Sequence, residues 1–199
     1  MSSEITADGP DVRRQLLEEA ARILDEQGPL ALSARRLATG AGTSTMAVYT
    51  HFGSMGKVVD AVATEGFRRL IDRVDAVERT DDPAADLLAT AAAYRENALQ
   101  NPHLYAVMFG ATSVRGLGAQ GADPDVAYAA FRQLVTLVER AMDAGRLRRD
   151  DPKAVAAQWW SALHGYMMLE LAGMDQVVRD PEYDVLWQLM ANLLRSLAA

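Results

Sequence analysis

The sequence predicts an all-α protein on three observations. No run alternates apolar and polar residues in the two-residue rhythm of a strand, apolar residues recur at three- and four-residue intervals, and five prolines directly follow an Asp or Asn suited to cap a helix. Those pairs are Asp82-Pro83, Asn101-Pro102, Asp123-Pro124, Asp151-Pro152 and Asp180-Pro181. At each, a side-chain oxygen can satisfy an orphan amide of the first turn, and proline at the first helical position loses nothing by lacking its own N–H.

Residues 10–27 form the first expected helix, with Leu16, Leu17, Ala20, Ile23 and Leu24 on one side and Gly28-Pro29 as its stop. Ser33 then caps a short helix through Thr39, Gly40 and Gly42 make a tight turn, and Ser44 to Phe52 gives a second short helix. A long helix is expected from Ser54 to about Arg79, with Val58, Val59, Val62, Phe67, Leu70, Ile71, Val74 and Val77 as its stripe. Its length would be about 35–40 Å, enough to link two domains. The proline-started segments 83–100, 102–111, 124–144, 151–173 and 181–198 make a second helical domain, and the glycine-rich 112–123 reads as a loop. No internal repeat is evident.

At 199 residues and 50% apolar, the chain can build a real core, which excludes a disordered or fibrous protein. Without cysteine there is no disulfide, thiolate nucleophile or Cys-based zinc site. No run approaches the roughly 18 apolar residues that cross a bilayer, and the start lacks a signal-peptide layout, so a soluble cytoplasmic protein is expected. The net charge of −7 argues against indiscriminate coating of nucleic acid. Its distribution is uneven: residues 33–57 hold Arg35, Arg36 and Lys57 and no acid, giving +3, against −4 before them and −6 after.

Two short helices around a glycine turn, with a supporting helix on each side, have the layout of a helix-turn-helix. Ala47, Val48 and Phe52 can pack inward while Thr45, Met46, Tyr49, Thr50 and His51 face outward, as a helix entering the major groove requires. Spacing alone leaves open a helical hairpin in a core, with Tyr49 and His51 as plain surface residues. The segment LSARRLATGAGTSTMAVYTHFGSMGKVVDAV, however, resembles the DNA-binding segment of the tetracycline-repressor (TetR) family of bacterial transcription regulators. The resemblance rests on Arg35 and Leu37-Ala38 in the capped helix, Gly42 in the turn, and Val48-Tyr49-Thr50-His51-Phe52 before a long fourth helix; with the first helix it covers residues 10 to about 65.

The resemblance implies DNA contacts at Ser33, Arg35, Thr45, Met46, Ala47, Tyr49, Thr50 and His51, with Tyr49 and His51 on phosphates; Arg36, Thr43 and Lys57 join them as candidates. One position departs from the family pattern: Met55 stands where a lysine is common, and Lys57 lies two residues on, about 200° around the helix. The implied architecture is an arm at 1–9, a three-helix helix-turn-helix domain at 10–56, and a helical ligand-binding and dimerisation domain at 57–199, with about nine helices in all.

The second domain resembles a subgroup of that family carrying Trp-x-x-x-His-Gly, here Trp160 to Gly165, and the i, i+4 spacing stacks Trp160 over His164. Tyr94, Tyr105, Met108, Phe109, Trp160, His164, Met167 and Met168 are candidate walls of a cavity for a small, largely apolar effector, the alternative being that Trp160 and His164 are core. The last two helices are apolar on more than one side and must be buried from two directions; the resemblance implies that they pair with their mates in a homodimer, which makes Trp159, Val185, Leu186, Leu189, Met190, Leu193 and Leu197 interface candidates, against burial within one chain.

Enzyme signals fail. Gly116-Leu117-Gly118-Ala119-Gln120-Gly121 matches GxGxxG but follows no strand, His51, His103 and His164 are scattered, and no Glu-x-x-His, Gly-x-Ser-x-Gly or Walker sequence occurs. Arg146, Arg148 and Arg149 read as surface. The expectation is a non-enzymatic, cofactor-free and metal-free regulator that binds duplex DNA as a homodimer. The rival is an all-helical binding or assembly protein that has lost specific DNA binding, which the acidic total and Met55 leave open.

Overall fold

The computed structural model describes residues 10–109 and 120–199. Among them the chain forms nine α-helices: α1 (Pro10–Gln27), α2 (Ala34–Gly40), α3 (Thr45–Phe52), α4 (Met55–Asp75), α5 (Pro83–Gln100), α6 (Pro102–Met108), α7 (Pro124–Asp143), α8 (Pro152–Leu171) and α9 (Gln188–Leu197). A 3₁₀ turn, Pro29–Ala31, follows α1, and no strand occurs among the described residues, where an isolated bridge pairs Leu147 with Ala198. The all-α expectation holds.

Four of the five Asp/Asn-Pro pairs cap as their chemistry requires. The carboxylates of Asp82, Asp123, Asp151 and Asp180 accept the amides of Ala84, Asp125, Lys153 and Tyr183 at 2.9–3.2 Å. Asn101 makes no such side-chain bond, so at α6 the proline alone marks the start.

Three boundaries differ from expectation. Helix α4 stops at Asp75, four residues before Arg79, because the chain turns back: Arg79 donates to the Val74 carbonyl at 3.1 Å and to Thr90 Oγ1 at 3.3 Å. Its 21 residues give about 31 Å. Helix α6 ends at Met108, capped by Phe109. The final segment is not one α-helix, since Glu182–Trp187 is π-helical, with the Trp187 indole donating to Glu182 at 3.1 Å. The expected arm at 1–9 and most of the GxGxxG run lie outside the described residues.

Packing divides the described chain into two units, residues 10–67 with 101–109 and 120–126, and residues 68–100 with 127–199. In the first, α1 packs on α2, α3 and α6, around Leu16, Ala20, Ile23, Leu24, Leu37, Val48, Val58 and Tyr105. His103 donates from Nδ1 to the Asp25 carbonyl at 2.7 Å, fastening the start of α6 to the end of α1.

In the second unit, α8 packs on α5 and α9 over Leu87, Ala91, Val138, Val155, Leu163 and Met167. Arg95 is clamped between Glu170 at 2.6 Å and Glu182 at 3.2 Å. Asp86, 1% exposed, accepts from the Thr80 amide and hydroxyl and from Arg140. Four residues expected at a dimer interface, Trp159, Leu186, Met190 and Leu197, are instead buried inside this chain, at 0–3% exposure. Their side chains already have partners in the unit's own core, whereas Val185, Leu189 and Leu193 remain half-buried.

Candidate functional site

Three serines start three successive helices of the first unit. Ser33, Ser44 and Ser54 accept the amides of Arg36, Ala47 and Lys57 at 3.2–3.3 Å, setting the starts of α2, α3 and α4. Between α2 and α3, Gly42 adopts φ +64°, Thr43 N–H reaches the Ala38 carbonyl at 2.9 Å and Gly42 N–H reaches Thr39 at 3.3 Å. These two bonds close the end of α2 with a glycine in the left-handed region. Gly40 is not part of this turn, a correction to the sequence reading. It is the last residue of α2, and a Cβ there would collide with the Glu19 carboxylate on α1. Gly42→Ala is expected to destabilise the protein by about 1 kcal/mol, because an L side chain must enter the left-handed region. A chemical-denaturation midpoint unchanged by this substitution would contradict the argument.

The turn directs α3 so that Val48 and Phe52 are buried while Thr45, Met46, Tyr49 and Thr50 are exposed, Met46 to 72%. Ala47 and His51 are half-buried. None of the eleven candidate contacts is buried: Ser33, Arg35, Arg36 and Lys57 are exposed and Thr43 is half-buried. Gly53, at φ +79°, ends α3 by donating to the Tyr49 carbonyl at 2.8 Å.

Lys57 lies on the first turn of α4, its ammonium 3.1 Å from Asp60. Asp60 is 9% exposed, and its other oxygen accepts the amides of Gln120 and Gly121 at 2.8 and 2.9 Å. Thr64, one turn on, accepts the Asp123 amide at 2.9 Å. Beside these residues, a cleft of about 590 Å³ is lined by Arg13, His51, Phe52, Lys57, Asp60 and neighbours from 120–124. Arg13 was not among the sequence candidates. Its signal was available only in three dimensions, as a guanidinium 5.0 Å from the centre of the Phe52 ring.

The candidate effector residues fall into two groups. In the first unit Tyr105 and Phe109 have ring centres 4.8 Å apart, and Phe109 meets Phe67 edge-on at 5.4 Å. In the second unit the expected stack of Trp160 and His164 is present at 5.5 Å, and His164 Nδ1 lies 3.1 Å from the Tyr94 hydroxyl. Burial holds the His164 pKa below its ordinary value, favouring the neutral ring. Phe131 on α7 extends the group, 6.2 Å from Trp160 and 6.2 Å from Tyr128, through an i, i+3 aromatic pair that the sequence reading passed over. Tyr105 and Met167 are at most 1% exposed and Met108 is 5% exposed, so these three are packed within their units. Met168 is exposed.

Among the described residues, no group of three or more His, Asp or Glu is placed to hold a metal ion, and no helix is long and apolar enough to cross a membrane.

An all-α chain whose α2 and α3 flank a glycine turn, with the outer side of α3 exposed and free of acid, defines a helix-turn-helix protein of the transcription-regulator class. It belongs to the tetR family of bacterial regulatory proteins. The sequence model "Bacterial regulatory proteins, tetR family" matches residues 16–62, and "Tetracyclin repressor-like, C-terminal domain" matches residues 87–194. An uncharacterized HTH-type transcriptional regulator of Mycobacterium tuberculosis is 31% identical over 193 residues, covering 92% of this chain and 82% of that protein. A solved structure of a Rhodococcus sp. RHA1 protein of unknown function is 28% identical with TM-score 0.79, over 98% of this chain and 100% of that one. The TetR family transcriptional regulator PfmR from Thermus thermophilus is 21% identical with TM-score 0.62, over 90% of this chain and 97% of that one, a likeness of fold.

Proposed function

We propose that this regulator is a repressor that binds a near-palindromic operator as a homodimer and is released by a small, largely apolar effector. The observation that carries the DNA part is the outer side of α3. Thr45, Met46, Tyr49 and Thr50 are exposed together on a helix whose opposite side is anchored by Val48 and Phe52, inside a 25-residue stretch without a carboxylate. Hydroxyls at Thr45, Tyr49 and Thr50 suit phosphates and base edges, and the exposed Met46 side chain suits a thymine methyl group. Ser33 keeps its hydroxyl proton for a phosphate while its oxygen serves as a cap. Two such helices, related by a two-fold axis, read half-sites about 34–36 Å apart.

Dimerisation is assigned to α8 and α9. Ser161, Gly165, Met168 and Leu169 lie exposed along α8, and Leu189 and Leu193 stay half-buried on α9, leaving a small-residue and apolar surface where a second copy can pack. The Trp160-x-x-x-His164-Gly165 subgroup and the effector site belong together in this reading. The neutral His164 and the Tyr94 hydroxyl supply polar handles, and Trp160 and Phe131 the aromatic wall. An effector that binds better when the two DNA heads are misplaced shifts the population away from operator binding, and a coupling of about 1–3 kcal/mol changes operator affinity about 5- to 150-fold.

The test is binding to DNA from upstream of the protein's own gene. A specific complex that weakens steeply with salt, formed by a species sedimenting as a dimer, is the expected result. A monomer indifferent to every genomic fragment at low ionic strength defeats the reading. For the effector site, a thermal-shift screen of small apolar compounds should give a hit that stabilises the wild type and fails to stabilise Trp160→Ala. Equal stabilisation of both would move the site elsewhere.

A further inference from the structure

Arg13 stands out among the cations of the cleft beside α3. Asp60 is within 3.1 Å of Lys57 and is further engaged by two backbone amides. The Arg13 guanidinium makes no ion pair or hydrogen bond with any described residue, and its contact is with the Phe52 ring. The acid nearest to it in sequence, Asp11, is held by Arg14 at 2.6 Å and Gln15 at 3.3 Å, and Asp123 on the cleft accepts the Asp125 amide. The side chain is nevertheless placed: its guanidinium lies over the ring of Phe52, the residue that follows His51. An exposed arginine ordered by an aromatic face, with its donors uncommitted among the described residues, is suited to an anion that approaches from solvent.

From this placement we infer that Arg13 contacts a DNA backbone phosphate, completing with the His51 side chain on α3 and the Lys57 ammonium on α4 a phosphate-facing flank drawn from three helices. The inference rests on the DNA-binding reading above and adds to it a residue of the supporting helix α1. It also answers the departure at Met55. The lysine common at that position is absent, Lys57 shares its charge with Asp60, and Arg13 brings a further charge to the same cleft. The fork geometry of a guanidinium matches two phosphate oxygens, where an ammonium offers a point charge.

The experiment measures dissociation constants against salt for wild type, Arg13→Met and Arg13→Lys, on the upstream duplex and on an unrelated duplex of equal length. Arg13→Met keeps an apolar stem on Phe52 and removes the charge. It should weaken binding to both duplexes roughly tenfold for each protomer, about a hundredfold for the dimer, on the scale of one charge-assisted hydrogen bond per chain. It should also flatten the slope of log K against log salt by about 0.9 for each phosphate no longer neutralised, with Arg13→Lys retaining most of the slope and all three proteins melting together. Weaker binding at an unchanged slope marks a structural role and overturns the inference, as does binding by Arg13→Met unchanged from the wild type. A wild type that binds neither duplex at low salt brings down the DNA-binding reading itself.

Discussion

Tyr49→Phe combined with His51→Ala is expected to weaken operator binding roughly hundredfold or more while leaving the folded protein intact. Each substitution removes a donor from the exposed side of α3, and a hydrogen bond to a charged group contributes about 1.5–3 kcal/mol. Two such losses per chain exceed the hundredfold mark even at the low end of that range. Folding should be spared because the anchors of α3 are Val48, fully buried, and Phe52, 9% exposed, and neither is altered. The Tyr49 carbonyl that receives Gly53 N–H at 2.8 Å is backbone and survives the change. Because phosphate contacts carry no sequence information, affinity should fall for operator and unrelated DNA alike. An electrophoretic shift indistinguishable from wild type, at equal melting temperature, would remove these two residues from the interface.

The largest expected loss of stability lies in the second unit, at Asp86→Ala, with a cost of about 2–3 kcal/mol. This carboxylate is 1% exposed and accepts two bonds from Thr80 and one from Arg140, which also donates to the Thr80 carbonyl. Removing it leaves the Thr80 amide and one side of the guanidinium without their acceptor. The figure sits below that for a fully buried pair because Arg140 remains 37% exposed and water can reach it. Burial by itself would push the Asp86 carboxyl up, but the hydrogen bonds from Thr80 and Arg140 outweigh it and hold the pKa below the ordinary carboxylate value. The unfolded chain therefore takes up this proton first. The stabilisation is complete above about pH 4 and is lost as pH falls through the lower folded value. Denaturant titrations at about pH 7 and about pH 3 should show a gap between wild type and Asp86→Ala at the first and a smaller one at the second. An equal gap at both would mean that the ionised carboxylate is not the stabilising species.

Much of the fold was legible because its punctuation is local. An Asp before a proline caps a helix wherever it falls, and four of the five helix starts marked in this way carry the capping bond. The outward face of α3 could be read for the same reason, since a helix of eight residues with Val48 and Phe52 inside has only one side left for Met46, Tyr49 and Thr50. What the sequence concealed were facts about partners. Periodicity shows that Trp159, Leu186 and Met190 must be buried, yet not whether by this chain or a second copy, and the chain's own core claims them. Arg79 ends α4 through its side chain, which no propensity encodes. Arg13 meets Phe52 across 39 residues of sequence, and Phe131 meets Trp160 across 29, so neither contact leaves a trace in any window short enough to show a period.

Asp60 ties together pieces of the molecule that evolution would otherwise be free to vary separately. One carboxyl group receives the ammonium of Lys57 and the amides of Gln120 and Gly121. A change that suits the protein to a new target at position 57 alters the charge balance on the group that fastens a distant stretch of backbone, and a change in that stretch is felt at position 57. Substitutions at these sites are thus bound to be epistatic, and descendants of this chain that lose Asp60 must revise both neighbours together.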